Sequence, residues 1–265
     1  MEPIRVVING ALGKMGQQIT GAVAREPGLR AVGAVEKEAT QQYVALPETL
    51  ELIPFSSDLA ALLRSCNADV MVDFTNAEAS MAAARIATGQ GVNIVVGTTG
   101  LSQANLAEIE QLCETSKVGA VVAPDFSLGA ALLMHLSRSV ARFFERAEII
   151  EMHHDQKADA PSGTAIATAR AMSQVRGKPF IYAEATSEVL SNTRGGQIDG
   201  IAIHSLRLPG FVAGQEVLFS GAGEILSLRH SAIGREAYLP GVVLAIKKVT
   251  RRKGLTYGLD SLLTL

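Results

Sequence analysis

The densest chemistry in the sequence lies in Glu151-Met152-His153-His154-Asp155-Gln156-Lys157-Ala158-Asp159-Ala160-Pro161-Ser162-Gly163-Thr164-Ala165. Two of the chain's 5 histidines stand side by side here, and Lys157 follows closely. They fall at the end of a strand-like run. Successive strand residues point to opposite faces, so His153 and His154 are expected to do different work. A positioned histidine or lysine can give or take a proton, typically worth about 10²–10⁴-fold in rate. Pro161-Ser162-Gly163-Thr164 then has the make-up of a helix start, with proline for the first turn, hydroxyls on Ser and Thr, and a glycine for close approach. The free N–H groups of such a start suit a carboxylate or a phosphate. The plainer alternative is an ordinary capped helix beside two satisfied surface histidines. Neither the H-E-x-x-H spacing nor a cysteine pair is present, so no zinc or other metal site is expected.

A second candidate lies near the start of the chain. Asn9-Gly10-Ala11-Leu12-Gly13-Lys14-Met15-Gly16 joins a β-branched run to a helical one, with glycines at 10, 13 and 16. Leu12 departs from the G-x-G-x-x-G dinucleotide fingerprint, but the physical needs are the same. One glycine makes the tight turn, another lets the backbone approach a pyrophosphate, and the third lets the helix pack on the sheet. The helix N-terminus adds about half a positive charge. About twenty residues on, Glu36 ends the second strand-like run, where a carboxylate can accept hydrogen bonds from ribose hydroxyls. Lys37 beside it can pair with a 2′-phosphate, so use of both NADH and NADPH is expected. A turn that merely needs glycines is the alternative.

These residues require a scaffold, and the first third of the chain supplies it. Strand-like runs at Ile4–Asn9, Leu29–Glu36, Val70–Phe74, Asn93–Val96 and Val118–Ala123 alternate with helical runs at Lys14–Arg25, Asp58–Cys66, Ala77–Thr88 and Ser102–Ser116. That alternation implies right-handed βαβ units and a parallel sheet, with Gly97-Thr98-Thr99-Gly100 and Ala123-Pro124-Asp125-Phe126 at carboxyl strand ends where ligands bind. After Phe126 the pattern changes. A helix is expected over Leu128–Phe144, a strand over Glu148–His153, and a helix from Pro161 to about Val175. Strands at Ile201–Leu208, Gln215–Ser220 and Ile225–His230 then read as a meander. Pro240–Val249 returns to helix. The fold class is therefore α/β: a Rossmann-like parallel-sheet dinucleotide-binding domain (1–127 and 240–265) plus an α+β domain with a mixed or antiparallel sheet (128–239) for substrate binding and oligomerisation.

Composition narrows the function. The 265 residues, 48% hydrophobic and 19% charged, are ample for a buried core without disulfide or metal staples. Lys+Arg 24 against Asp+Glu 26 does not suggest nucleic acid or an anionic membrane as partner. The basic run Lys247–Lys253 reads as a solvated helix end, and His135 as packing or polar surface. The 2 cysteines, Cys66 and Cys113, read as buried small hydrophobes in a reducing cytoplasm. The N-terminus lacks a signal-peptide pattern, and no run is long enough to span a membrane.

At these same residues, and over nearly its whole length, the chain resembles the 4-hydroxy-tetrahydrodipicolinate reductases, also called dihydrodipicolinate reductases, of lysine biosynthesis. The resemblance rests on Gly10–Gly16, Gly97–Gly100, Ala123–Gly129, the long string Glu151–Ala165, Arg194–His204, His230-Ser231-Ala232 and Arg235. It implies NAD(P)H-dependent reduction of a cyclic imine dicarboxylate to tetrahydrodipicolinate with loss of water. It also implies His153 as proton donor and acceptor, Lys157 as second proton donor, and substrate contacts at His154, Ser162, Gly163, Thr164 and Thr99. The implied cofactor contacts are Gly10, Ala11, Leu12, Gly13, Lys14, Met15, Glu36, Gly97, Thr98, Thr99, Ala123, Pro124, Asp125 and Phe126, with Lys37 where many relatives have Arg. Asp125 departs from the family's usual Asn, exchanging a donor-acceptor amide for an acceptor-only carboxylate. A homotetramer built through the strand-rich domain is implied as well. Two other readings compete: a different two-domain Rossmann oxidoreductase, and an NAD(P)H-binding sensor or scaffold without catalysis. Neither accounts for a proton donor beside an anion cradle.

Overall fold

Runs of valine, isoleucine and alanine bounded by glycine or Asx residues leave little choice but buried strands, and the intervening runs have one apolar face each. The computed structural model describes residues 2–47, 49 and 51–263. In chain order the elements are β1 (Ile4–Asn9), α1 (Lys14–Arg25), β2 (Leu29–Val35), β3 (Tyr43–Ala45), β4 (Leu52–Ser56), α2 (Leu59–Cys66), β5 (Val70–Asp73), α3 (Ala77–Gly89), β6 (Asn93–Val96), α4 (Gln103–Ser116) and β7 (Gly119–Val122). There follow α5 (Leu128–Val140), β8 (Arg146–His153), α6 (Gly163–Arg176), β9 (Gly196–Ile198), β10 (Ile201–Arg207), β11 (Ala213–Gly221), β12 (Glu224–Ala232), α7 (Leu239–Val249) and β13 (Gly254–Tyr257). The chain separates into two units, one running to Phe126 and resuming at Tyr238, the other Ser127–Ala237.

In the first unit, among the described residues, eight strands lie in the order β13-β7-β6-β5-β1-β2-β4-β3, parallel except for β3 against β4. The order reverses at β1, which lies between β2 and β5. That is the switch point at which open α/β sheets take ligands, outside the carboxyl strand ends. Val7, Met71, Ile94 and Val96 are wholly buried in the core that α2, α3 and α4 help to close. The strand β4 was not expected, because Pro54 lies within it and proline is confined to sheet edges and irregular positions.

In the second unit five strands lie in the order β12-β11-β8-β10-β9, with α5 and α6 packed on the sheet. The expected meander is corrected here. Of the three strands of that reading, only β11 and β12 are hairpin neighbours; β10 instead pairs with the short β9, and β8 stands between β10 and β11, parallel to the first and antiparallel to the second. The Pro209-Gly210 turn therefore carries the chain over β8 rather than into a neighbouring pairing, and Leu208 N–H donates to the carbonyl of His153 at 3.1 Å on the way. The helix expected to reach Phe144 ends at Val140. Phe144 turns off the helix and packs on Phe219, with ring centroids 5.6 Å apart.

Candidate active site

Helices α2 to α6 each begin with a side-chain cap, from Asp58, Asn76, Ser102, Ser127 and Ser162. Helix α1 begins at Gly13 with no side-chain cap and no acidic residue in its first turn. Its first N–H groups therefore have no anionic or hydroxyl partner from the chain's own cap position, which suits a phosphate. Gly10 holds φ at +77°, and a Cβ there would lie 2.7 Å from Thr75 Cγ2. A Cβ on Gly16 would lie 2.0 Å from the carbonyl oxygen of Gly10, so only glycine lets α1 sit this close to the turn. Glu36 at the end of β2 accepts from Leu12 N–H at 3.1 Å and from Lys37 N–H at 3.2 Å. Its carboxylate keeps further lone pairs for hydroxyl donors. These residues fit a dinucleotide.

The neighbouring strand ends are braced from below. Asp73, wholly buried, accepts from Asn9 Nδ2 at 2.6 Å, Thr75 Oγ1 at 2.9 Å and Thr98 Oγ1 at 2.8 Å. The Thr98 hydroxyl also accepts from Thr75 N–H at 2.9 Å, so that side chain is committed inward while Thr99 is exposed. This network ties β1, β5 and β6 together at the switch point. Asn9 and Asp73 were not expected as site residues; their signal is a polar side chain at the last position of an otherwise apolar strand. Ala123 and Phe126 are buried, Pro124 is exposed, and the Phe126 ring lies 5.5 Å from that of Phe74. Of the basic run, Lys247 pairs with Glu26. Cys113 is buried, and burial pushes its thiol up to about 11. Cys66, expected to be buried, is only partly so, because its thiol reaches the Val32 carbonyl near the surface at 2.9 Å.

In the second unit, His153 is the last residue of β8, and His154 lies beyond it, exposed. Residues two apart share a strand face, which places Glu151 beside His153. Glu151 is wholly buried, with Oε2 2.6 Å from His153 Nδ1. Parallel pairing sets Ser205 opposite Glu151 and Arg207 opposite His153. Arg207 grips Glu151 with both arms, at 3.0 Å to Oε2 and 2.7 Å to Oε1, and Ser162 N–H donates to Oε1 at 3.2 Å. Burial alone would raise the Glu151 carboxyl, but hydrogen bonds from His153, Arg207 and Ser205 outweigh it and hold the pKa at about 2. Lys157 Nζ meets Asp159 Oδ1 at 2.6 Å. The Ser162 hydroxyl caps α6 by accepting from Ala165 N–H at 3.2 Å, while the space beside Gly163 is open. The hydroxyl and the N–H of Ser162 are thus both engaged within the chain, as in a capped helix, and Gly163 leaves room beside the helix start.

Glu151 and Arg207 were not expected as site residues. The E-x-H spacing on a strand is the only sequence signal for Glu151, and Arg207 carries none, since its place depends on β10 lying next to β8. Arg194 and His204, part of the resemblance, meet at Glu148, with His204 Nε2 2.8 Å from its Oε2, on the sheet face opposite His153. His230 Nε2 lies 3.0 Å from Ser127 Oγ.

Two family models match the chain: "Dihydrodipicolinate reductase, N-terminus" over residues 4–126 and "Dihydrodipicolinate reductase, C-terminus" over residues 129–263. A 4-hydroxy-tetrahydrodipicolinate reductase of Dehalococcoides mccartyi is 50% identical over 265 residues, 100% of both chains. One of Moorella thermoacetica is 49% identical over 264 residues, covering 98% of each. The dipicolinate-bound dihydrodipicolinate reductase of Paenisporosarcina sp. TG-14 superposes with a TM-score of 0.86 at 36% identity, covering 98% of this chain and 100% of that one. With both units matched and the relatives similar from end to end, the chain belongs to the dihydrodipicolinate reductase family, the NAD(P)H-dependent reductases of lysine and diaminopimelate biosynthesis.

Proposed function

We propose that His153 gives the proton, with Lys157 as second proton donor, in the reduction of (2S,4S)-4-hydroxy-2,3,4,5-tetrahydrodipicolinate to tetrahydrodipicolinate. In that reaction one hydride and one proton enter and one water leaves. The reduced nicotinamide, when bound, supplies the hydride. Electron density left on the conjugated imine by hydride addition needs a positioned acid. The observation that carries the assignment is the 2.6 Å contact of His153 Nδ1 with a buried, ionised carboxylate. It turns Nδ1 to the carboxylate and keeps Nε2 for the reacting molecule. His154, the Lys157 ammonium and the Ser162-Gly163-Thr164 helix start are the polar groups suited to the substrate's two carboxylates. In the first unit, Gly10 to Met15, Glu36, Lys37, Gly97 to Thr99 and Ala123 to Phe126 are the residues that would hold the dinucleotide, and the side-by-side Glu36 and Lys37 support use of both NADH and NADPH. The cytoplasm is the proposed location; among the described residues no helix is long and apolar enough to cross a membrane.

The test is an assay fed by pyruvate and aspartate semialdehyde through dihydrodipicolinate synthase, following NADPH or NADH absorbance. Oxidation that depends on the synthase is expected with both cofactors, with kcat/KM values within about 100-fold of each other, a gap of roughly 2.7 kcal/mol. His153→Ala or Lys157→Ala is expected to lower kcat by about 10²-fold or more while NADPH binding stays nearly intact. Wild-type turnover in both variants would remove the role assignment.

A further inference from the structure

We propose that Glu151 and Arg207 are positioning residues for His153: the carboxylate holds the imidazole with Nδ1–H turned to it and Nε2 left for the substrate, and the guanidinium locks the carboxylate. This rests on the assignment of His153 as proton donor. The geometry is set by backbone pairing, since Glu151 and His153 share one face of β8, and Ser205 and Arg207 stand opposite them on β10. Besides the Ser205 hydroxyl, the two oxygens of Glu151 receive four donors. Oε2 takes His153 Nδ1 at 2.6 Å and Arg207 Nη1 at 3.0 Å; Oε1 takes Arg207 Nη2 at 2.7 Å and Ser162 N–H at 3.2 Å. An ionised carboxylate only accepts, so the imidazole must donate through Nδ1. The bidentate fork leaves the carboxylate one orientation, which a lysine could not enforce.

Arg207 reaches further. Its Nη2 also donates to the Asp159 carbonyl at 2.7 Å, and its Nη1 to the Leu206 carbonyl at 2.7 Å. Asp159 Oδ1 in turn holds Lys157 Nζ at 2.6 Å. A continuous set of contacts therefore joins both proposed proton donors: His153, Glu151, Arg207, Asp159, Lys157. The charged groups arrayed about His153 are Glu151 from β8 and Arg207 from β10, followed by the Lys157–Asp159 pair in the loop. Strand β11 brings only Ala213 and Gln215 to the facing positions. Buried ion pairs contribute little net stability compared with apolar packing. A pair that also grips the histidine and the loop fits a role in geometry.

The experiment uses the full-length protein and four variants. In wild type labelled with ¹⁵N-histidine, with His153 identified by difference against His153→Gln, the neutral ring is expected in the Nδ1–H tautomer; an Nε2–H tautomer overturns the proposal whatever the variants do. Glu151→Gln removes the acceptor-only charge and leaves Arg207 beside the imidazole, disfavouring the imidazolium. Its kcat is expected to fall about 10²-fold with KM nearly unchanged, and the alkaline limb of the kcat profile to move to lower pH. Arg207→Lys keeps the charge without the fork, and an intermediate loss of kcat with a smaller movement of the limb is expected. If His153→Ala is inactive while Glu151→Gln keeps the wild-type kcat and pH profile, the positioning role is overturned and the His153 assignment stands. If His153→Ala retains activity, the assignment itself fails.

Discussion

Asp73 and Glu151 are both wholly buried carboxylates, and the chain handles them in opposite ways. Asp73 has neutral partners, Asn9, Thr75 and Thr98, and braces three strand ends. Glu151 has an arginine and a histidine, and its pKa of about 2 lies below the ordinary 4.5. A depressed carboxylate stabilises the fold above the unfolded pKa, and that stability drains away as pH falls from about 4.5 to about 2. The shift corresponds to about 3 kcal/mol. Urea unfolding between pH 7 and pH 3 is expected to show about 2 kcal/mol of this loss in wild type and a flatter dependence in Glu151→Gln, whose amide does not titrate in that range. Equal slopes would mean that other carboxylates dominate. Beyond the contacts two residues apart, Glu151 with His153 and Asp73 with Thr75, neither partner set was legible, because the rest depends on which strand lies next to which.

At the scale of elements, the helix starts carry the contrast that matters. Five consecutive helices are capped by their own Asx or Ser side chains, and α1 is not. The glycines that leave it open also let it sit against the turn. Gly16→Ala would place a methyl 2.0 Å from the Gly10 carbonyl oxygen, and backbone cannot yield as a flexible side chain would. The variant is expected to lose at least about tenfold in affinity for both NADH and NADPH, about 1.4 kcal/mol, in a fluorescence titration. Unchanged affinity would show that the turn does not carry the pyrophosphate. The parallel-sheet strands and their helices were legible to within a residue or so at most ends, because buried β-branched runs and amphipathic helices leave different patterns. The exceptions, which include the unexpected edge strand β13 of four residues, have physical reasons. Strands β3 and β9 are three residues each, too short for a period to register; β4 contains a proline; and β10 is separated from β11 by a strand that precedes both in sequence.

At the scale of the whole molecule, the second unit supplies the proposed route to a homotetramer. Leu208, Ile225 and Ile233 lie exposed on or beside its strands, and Ile225 on β12 is 74% exposed. Exposed aliphatic residues on a sheet are the surface expected of an assembly face. Sedimentation velocity at micromolar protein is expected to give a species of four chains, and Ile225→Glu to shift it toward smaller ones. A wild-type monomer would remove the tetramer. What the sequence determined by itself was local: the alternation of strands and helices, the glycine turn followed by Glu36, and the string from Glu151 to Ala165 that carries its chemistry on contiguous residues. Those signals survive in one dimension because helix and strand periods, turns and helix starts are properties of neighbours in the chain. Only the tertiary structure decided that β8 lies between β10 and β11, and so that Arg207, 56 residues from Glu151, closes on it. Such pairings arise when burial of two sheet faces selects a strand order, and no residue-by-residue pattern encodes that choice.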